Sequence, residues 1–267
     1  IYKVGFHAYF NEGLYRGNFL SHKVLYNPHL HIAKNFIALV NALLSEKKEV
    51  PYSKTLIADE EIRLTSVAYS REEKKKVMDI VCSCSSLFDP QKNKIILINP
   101  NASELLIQRR WPPSYFVRLI QMILDYCPAA HVLITGDERE KEEAEVLRRN
   151  VGHDRCINFA GKVTLAQLPV LYSLSEFMVT NDSGPAHFAA VTPMHTFVIF
   201  GPETPALYGS LGRTTPLYAG LACSPCVSAA NHRKTACRDN VCLQVIEPEK
   251  VFQTIRPELE KINAQTK

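Results

Sequence analysis

No run of about 18 apolar residues occurs in the chain, so no transmembrane helix is expected. No charged leader with an apolar core and a cleavage site opens it. The first residue is Ile1, in a strand-like segment, and the start is expected to be a truncation. An excess of charge is also missing: 31 Lys and Arg against 27 Asp and Glu leave +4, without a dense basic stripe, which argues against a nucleic-acid partner. The run Arg71-Glu72-Glu73-Lys74-Lys75-Lys76 mixes signs and reads as a solvated helix face. Neither GxGxxG after a strand nor GxxxxGK(S/T) is present, which disfavours nicotinamide-binding and P-loop readings. There is no GxSxG elbow and no HExxH. No internal repeat or low-complexity segment appears.

What is present is the composition of a globular protein: 267 residues, 46% hydrophobic and 22% charged, room for one large or two smaller domains. Residues 2 to 10 read as a strand, and 31 to 45 carry apolar residues at helical spacing. A charged helix is expected over 70 to 81. From there strands and helices alternate. Strands are expected at 95–98, 131–135, 156–159, 176–180 and 196–200, and helices at 113–126, 138–149, 164–174, from 184, and 248–262. The alternation predicts an α/β fold with a doubly wound parallel sheet.

Ligands of such sheets bind beyond the carboxyl ends of the strands. Small or polar loops follow successive strands: Asn99-Pro100-Asn101-Ala102, Thr135-Gly136-Asp137-Glu138, Ala160-Gly161-Lys162, Asn181-Asp182-Ser183-Gly184 and Gly201-Pro202-Glu203-Thr204. Together they predict one shared cleft. In the fourth, Gly184 permits close backbone approach, Pro185 suits a first helical turn, and Ser183 can cap the helix or bond a ligand oxygen. Unpaired N–H groups there would hold a phosphate, although a capped helix without ligand fits equally well. Arg109 offers a bidentate fork to phosphate oxygens, or one half of a surface pair with Arg110 beside a buried Trp111. Glu138 can accept bonds from ribose hydroxyls, or complement a helix dipole. His187 can reach a ligand or pack.

In order, Asn99-Pro100-Asn101-Ala102, Arg109-Arg110-Trp111-Pro112, Gly136-Asp137-Glu138, Ala160-Gly161-Lys162-Val163-Thr164-Leu165, Thr180 to His187 and Gly201-Pro202-Glu203-Thr204 resemble the C-terminal half of glycosyltransferase family 9, the ADP-heptose:lipopolysaccharide heptosyltransferases. The likeness covers residues 94 to 250 and fades over 1 to 93. It implies a GT-B fold, two Rossmann-like domains facing across a cleft. This chain would hold the C-terminal Rossmann-like domain and the end of the N-terminal one. It also implies an ADP-heptose donor and a glycan or lipid-linked acceptor, with peripheral membrane association through that acceptor. The location implied is the cytoplasm, at the inner membrane face. Arg109 falls on the diphosphate contact, Glu138 on the ribose, and Thr164 and Leu165 near the adenine. Asp182, Ser183, Gly184 and His187 fall on the motif that meets pyrophosphate and sugar. Glu203 departs from the usual family pattern of Thr or Ser after Gly-Pro. The reaction inverts the anomeric centre, so a general base is needed, and it is expected outside this chain. Other nucleotide sugars, or a non-catalytic nucleotide-binding module, remain as alternative readings. No cofactor is required.

The implied domains are 1–90, an acceptor-side remnant and linker; 91–246, the donor-binding domain; and 247–267, a helix packing back toward the N-terminal part. Four cysteines, Cys223-x2-Cys226-x10-Cys237-x4-Cys242, follow the last expected strand. They could form a structural zinc site, with His232 as a substitute ligand, two disulfides, or four free thiols. Cys82, Cys84, Cys127 and Cys156 are scattered and read as small hydrophobes.

Overall fold

The computed structural model describes residues 1–7, 18–228 and 234–266, except for the side chain of Leu105. Its N-terminal unit is small. Strands β1 (Val4–Phe6) and β2 (His22–Val24) pair in parallel, with Gly5 opposite Lys23. Residues 8 to 10 of the longer strand expected here lie outside the described residues. Helix α1 (Ile32–Leu44) covers the pair, and Phe6, Val24 and Ala42 form its core. The helix starts at His31, whose Nδ1 accepts from Ala33 N–H at 3.2 Å. Asn35 is buried and holds the preceding loop, accepting from Asn27 N–H and donating to the carbonyls of Asn27 and Leu30.

Helix α2 (Arg71–Cys84) begins at a capping box of Ser70 and Glu73, and it runs three residues beyond the expected end. Its buried Val77 and Val81 pack with Ile95 and Leu97 of the large sheet. The helix thus packs on one face of the large sheet.

The sheet contains β3 (Lys94–Asn99), β4 (Ala130–Ile134), β5 (Cys156–Asn158), β6 (Phe177–Asn181), β7 (His195–Phe200) and β8 (Thr214–Tyr218). The order is β5-β4-β3-β6-β7-β8, and every pairing is parallel. Side chains alternate between two cores. Ile96 and Ile98 face helices α3 (Pro113–Tyr126) and α4 (Lys141–Val151), while Ile95 and Leu97 face α2 and α5 (Leu168–Ser173). The doubly wound sheet is the one expected. The strand β8 was not expected, because Pro216 lies inside it, and an edge position tolerates proline.

Helix α5 is shorter than the 164–174 expected. The Thr164 N–H and hydroxyl both donate to Gln167 Oε1, which holds this stretch as a turn before the helix. Short helices α6 (Gly184–Ala189), α7 (Pro205–Tyr208) and α8 (Val241–Gln244) follow the later strands. The final helix α9 (Pro248–Gln265) buries Val251, Ile255, Leu259 and Ile262 in the core it shares with α3. Tyr126 on α3 reaches Glu260, and Asn263 Nδ2 donates to Tyr126 O. The helix expected to turn toward the N-terminal part thus closes one face of the sheet.

Candidate functional site

The chain winds from β3 outward to β5, then returns to β6 beside β3 and winds the other way. Beyond the carboxyl ends of β3 and β6 the two directions separate, and a crevice opens where sheets of this kind bind ligands. A cleft of about 330 Å³ lies there, with Asn101, Gly136, Glu140, Leu165 and Gly184 in its wall.

Amides lock this strand-end region. Asn99 Nδ2 donates to Thr135 O at 3.1 Å and to Thr135 Oγ1 at 3.2 Å, and Asn101 Nδ2 donates to the same carbonyl at 3.3 Å. Asn181, fully buried, accepts from Trp111 N–H at 3.0 Å and donates to Pro100 O at 2.7 Å. Trp111 Nε1 then donates to Ile246 O at 2.8 Å, between α8 and α9. Arg110 turns away from the cleft, donating twice to Ala102 O and pairing with Glu143.

Arg109 and Asp182 pair at 3.7 Å, with side chains 14% and 5% exposed. A buried carboxylate needs such a cation, and the arginine keeps part of its fork unused. Its Nε is buried without a hydrogen-bond partner among the described residues. The two residues expected on a diphosphate therefore stand together at the strand ends, each also neutralising the other.

Ser183 opens α6, but its hydroxyl does not cap the helix. It donates to Asn181 O at 3.2 Å, so the capping expectation is corrected. Over Gly184 there is open space: a Cβ built there meets nothing within 4 Å. No neighbouring protein atom requires glycine here, and the opening belongs to the cleft.

Glu138 stands at the rim. Its carboxylate pairs with Lys141 at 3.0 Å and lies over Gly161, which has φ +71° and where a Cβ would come within 2.0 Å of Glu138 Oε2. Glu140, which sequence reasoning missed, lies in the wall instead, and burial holds its carboxyl above the usual range. Its spacing from Asp137, whose N–H donates to Glu140 Oε2 at 2.7 Å, is the only sequence signal for it. Leu165 lines the cleft, whereas Thr164 is engaged with Gln167 beside it. His187 lies on α6 with much of its surface exposed, and partial desolvation by packed neighbours first, then His31 and Arg109, keep its imidazole below the ordinary range.

The four clustered cysteines are free thiols. Cys226 N–H donates to Pro202 O at 2.9 Å, so their loop rests on the end of β7. Among the described residues no three His, Cys, Asp or Glu side chains are grouped to hold a metal ion, and His232 lies outside the described residues.

The chain matches the profile of glycosyltransferase family 9 (heptosyltransferase) over residues 3–236. It is 27% identical over 176 residues to lipooligosaccharide heptosyltransferase 2 of Campylobacter jejuni, covering 61% of this chain and 51% of that protein. Among solved structures, the E. coli ADP-heptose lps heptosyltransferase II superposes with a TM-score of 0.64 at 18% identity, over 91% of this chain and 66% of that one. A family 9 glycosyl transferase from Veillonella parvula gives a TM-score of 0.66 at 17% identity, over 91% and 64%. The chain spans about half the length of the Campylobacter relatives it matches. Residues 3–236 are most of its length, and by that match the chain belongs to glycosyltransferase family 9.

Proposed function

We propose that the cleft beyond β3 and β6 binds the nucleotide-sugar donor of a heptosyltransferase, with ADP-heptose as the donor. The observation that carries this reading is the open floor over Gly184, beside the buried Arg109–Asp182 pair. A diphosphate laid there would meet the Ser183 hydroxyl, and Arg109, outside the wall of the cleft, would reach it by turning its fork from Asp182. Glu138 would reach the ribose from the rim, and Leu165, with Thr164 beside it, would flank the adenine. His187 and Asp182 would border the sugar. Support for the donor comes from the E. coli structure, which carries ADP-heptose in its name.

In the proposed reaction an acceptor hydroxyl attacks the anomeric carbon from the face opposite the diphosphate. The carbon–oxygen bond to ADP breaks, and the centre inverts. Arg109 would stabilise the charge that develops on the leaving phosphate. The proton of the attacking hydroxyl passes to a base that is assigned to no described residue. The proposed acceptor is a lipopolysaccharide-type glycan, in line with the heptosyltransferase 2 relatives. The two units are proposed to face each other in GT-B fashion. No described helix is long and apolar enough to cross a membrane. The proposed place of action is the cytoplasm, at the inner membrane face through the acceptor.

Titration calorimetry with ADP tests the cleft. Wild type is expected to bind saturably, and Arg109→Ala to weaken binding about ten- to hundredfold by removing a charged hydrogen-bond donor. Asp182→Ala is expected to weaken it too, by releasing the arginine from its orientation. Wild-type affinity in both variants would place the nucleotide elsewhere, and tighter binding of UDP or GDP would change the donor.

Cys223, Cys226, Cys237 and Cys242 are proposed as ligands of a structural zinc ion, supported by their sequence spacing. Binding would have to draw the two pairs together. Metal analysis of protein purified without chelator is expected to give one zinc per chain. A metal-free, fully folded protein would end the proposal.

A further inference from the structure

The stretch from Tyr208 to Gly212 is held on two sides. On one side is the N-terminal unit: His31 Nε2 lies 2.9 Å from Gly209 O, and the hydroxyls of Tyr26 and Tyr208 are 3.3 Å apart. On the other side is α6. Ser210 Oγ donates to Ala186 O at 2.8 Å, and Gly212 sits so close that a Cβ would lie 2.5 Å from Ala190 Cα. The stretch therefore straps the small N-terminal unit to the helix whose first residue floors the cleft.

A six-residue helix does not hold its place by its own hydrogen bonds, and its position depends on what packs against it. The ring of His31 has no nitrogen left for a ligand. Nδ1 accepts from Ala33 N–H at 3.2 Å, so the proton is on Nε2, which donates to Gly209 O. The loop before His31 is fixed in turn by the buried Asn35. Apart from its electrostatic effect on His187, the contact route from His31 to the cleft runs through the strap.

We infer that His31 is a positioning residue for the nucleotide cleft, acting through Gly209 and Ser210 to set α6, and with it Gly184 and His187, against Arg109. This rests on the reading that the nucleotide occupies that cleft. It makes the N-terminal unit a determinant of donor affinity without any contact between that unit and the donor.

The test is a double-mutant cycle read by ADP titration. His31→Asn keeps an N-cap acceptor for α1 but is too short to reach Gly209. Ser210→Ala cuts the second link of the strap. Each single variant is expected to weaken ADP binding by up to about fivefold, the worth of one hydrogen bond, with only a small drop in melting temperature. The double variant is expected to be no weaker than either single, because both cut one chain of contacts. Where His31→Asn loosens α1, His31→Gln, long enough to donate to Gly209 O, is expected to recover the wild-type affinity, and its failure to do so overturns the role of His31. Singles that bind like wild type, or losses that multiply in the double variant, overturn the role of His31. A wild type that does not bind ADP, or an Arg109→Ala variant that binds as well, overturns the donor reading beneath it.

Discussion

Two glycines of the site obey opposite constraints, and substitution separates them. Gly161 sits at φ +71° with the Glu138 carboxylate where a Cβ would go, so Gly161→Ala strains the backbone and displaces that side chain. It is expected to lower the melting temperature and to disturb the rim. Gly184 has open space where a side chain would stand. Gly184→Leu is expected to keep the wild-type melting temperature and to lose ADP binding. Calorimetry on both variants checks the pair, and a Gly184→Leu protein that binds ADP normally would take the floor of the cleft away from the nucleotide. A third residue sets acid sensitivity. His131 is buried, and burial, followed by Arg155, holds its pKa down to about 4 from the ordinary 6.5, against a smaller upward pull from the Ala129 backbone. Between those values the unfolded chain binds the proton and the folded chain does not. Stability is therefore lost as pH falls from about 6.5 toward 4. Denaturant midpoints at pH 7.5, 6 and 5 should fall more steeply in wild type than in His131→Leu.

At the scale of elements, Trp111 joins α3 to the end of the chain. Its ring is fully buried, it meets Phe116 edge-on with centroids 4.8 Å apart, and its indole N–H ends on Ile246 O. Trp111→Ala removes the packing and orphans a carbonyl, and is expected to cost about 3–5 kcal/mol. Trp111→Phe loses the bond and less volume, and should cost less. Denaturant unfolding of the two variants measures both. The central strands were legible in the sequence because a strand covered on both faces must be apolar throughout, as Ile95 to Ile98 are. The loops after them were legible because turns and helix starts have narrow residue preferences. The edge strand β8 was not legible, since Pro216 is permitted only by a position that no local pattern reveals. Glu140 was not legible either. It enters the cleft because the stretch Glu138–Glu140 forms a tight 3-10 turn, which sets its neighbour Glu138 out at the rim.

Across the whole molecule, the cores are unequal. The sheet is packed on both faces, whereas among the described residues the N-terminal unit rests on Phe6, Val24 and Ala42 with a pair of three-residue strands. So small a core buries little apolar area, and the unit is expected to open far more often than the sheet. Hydrogen exchange should show β3, β6 and β7 protected to the global limit, with β1 and β2 exchanging early; equal protection would contradict this division. Asn181 adds a bound on the chemical lifetime of the protein. Its amide gives a proton to Pro100 O and takes one from Trp111 N–H. Loss of ammonia from this side chain would leave a carboxylate with no proton for Pro100, next to the carboxylate of Asp182. At 0% exposure the amide is sealed from water while the sheet is closed. Aspartate found at position 181 in aged samples would then date the occasions on which the centre of the sheet came apart.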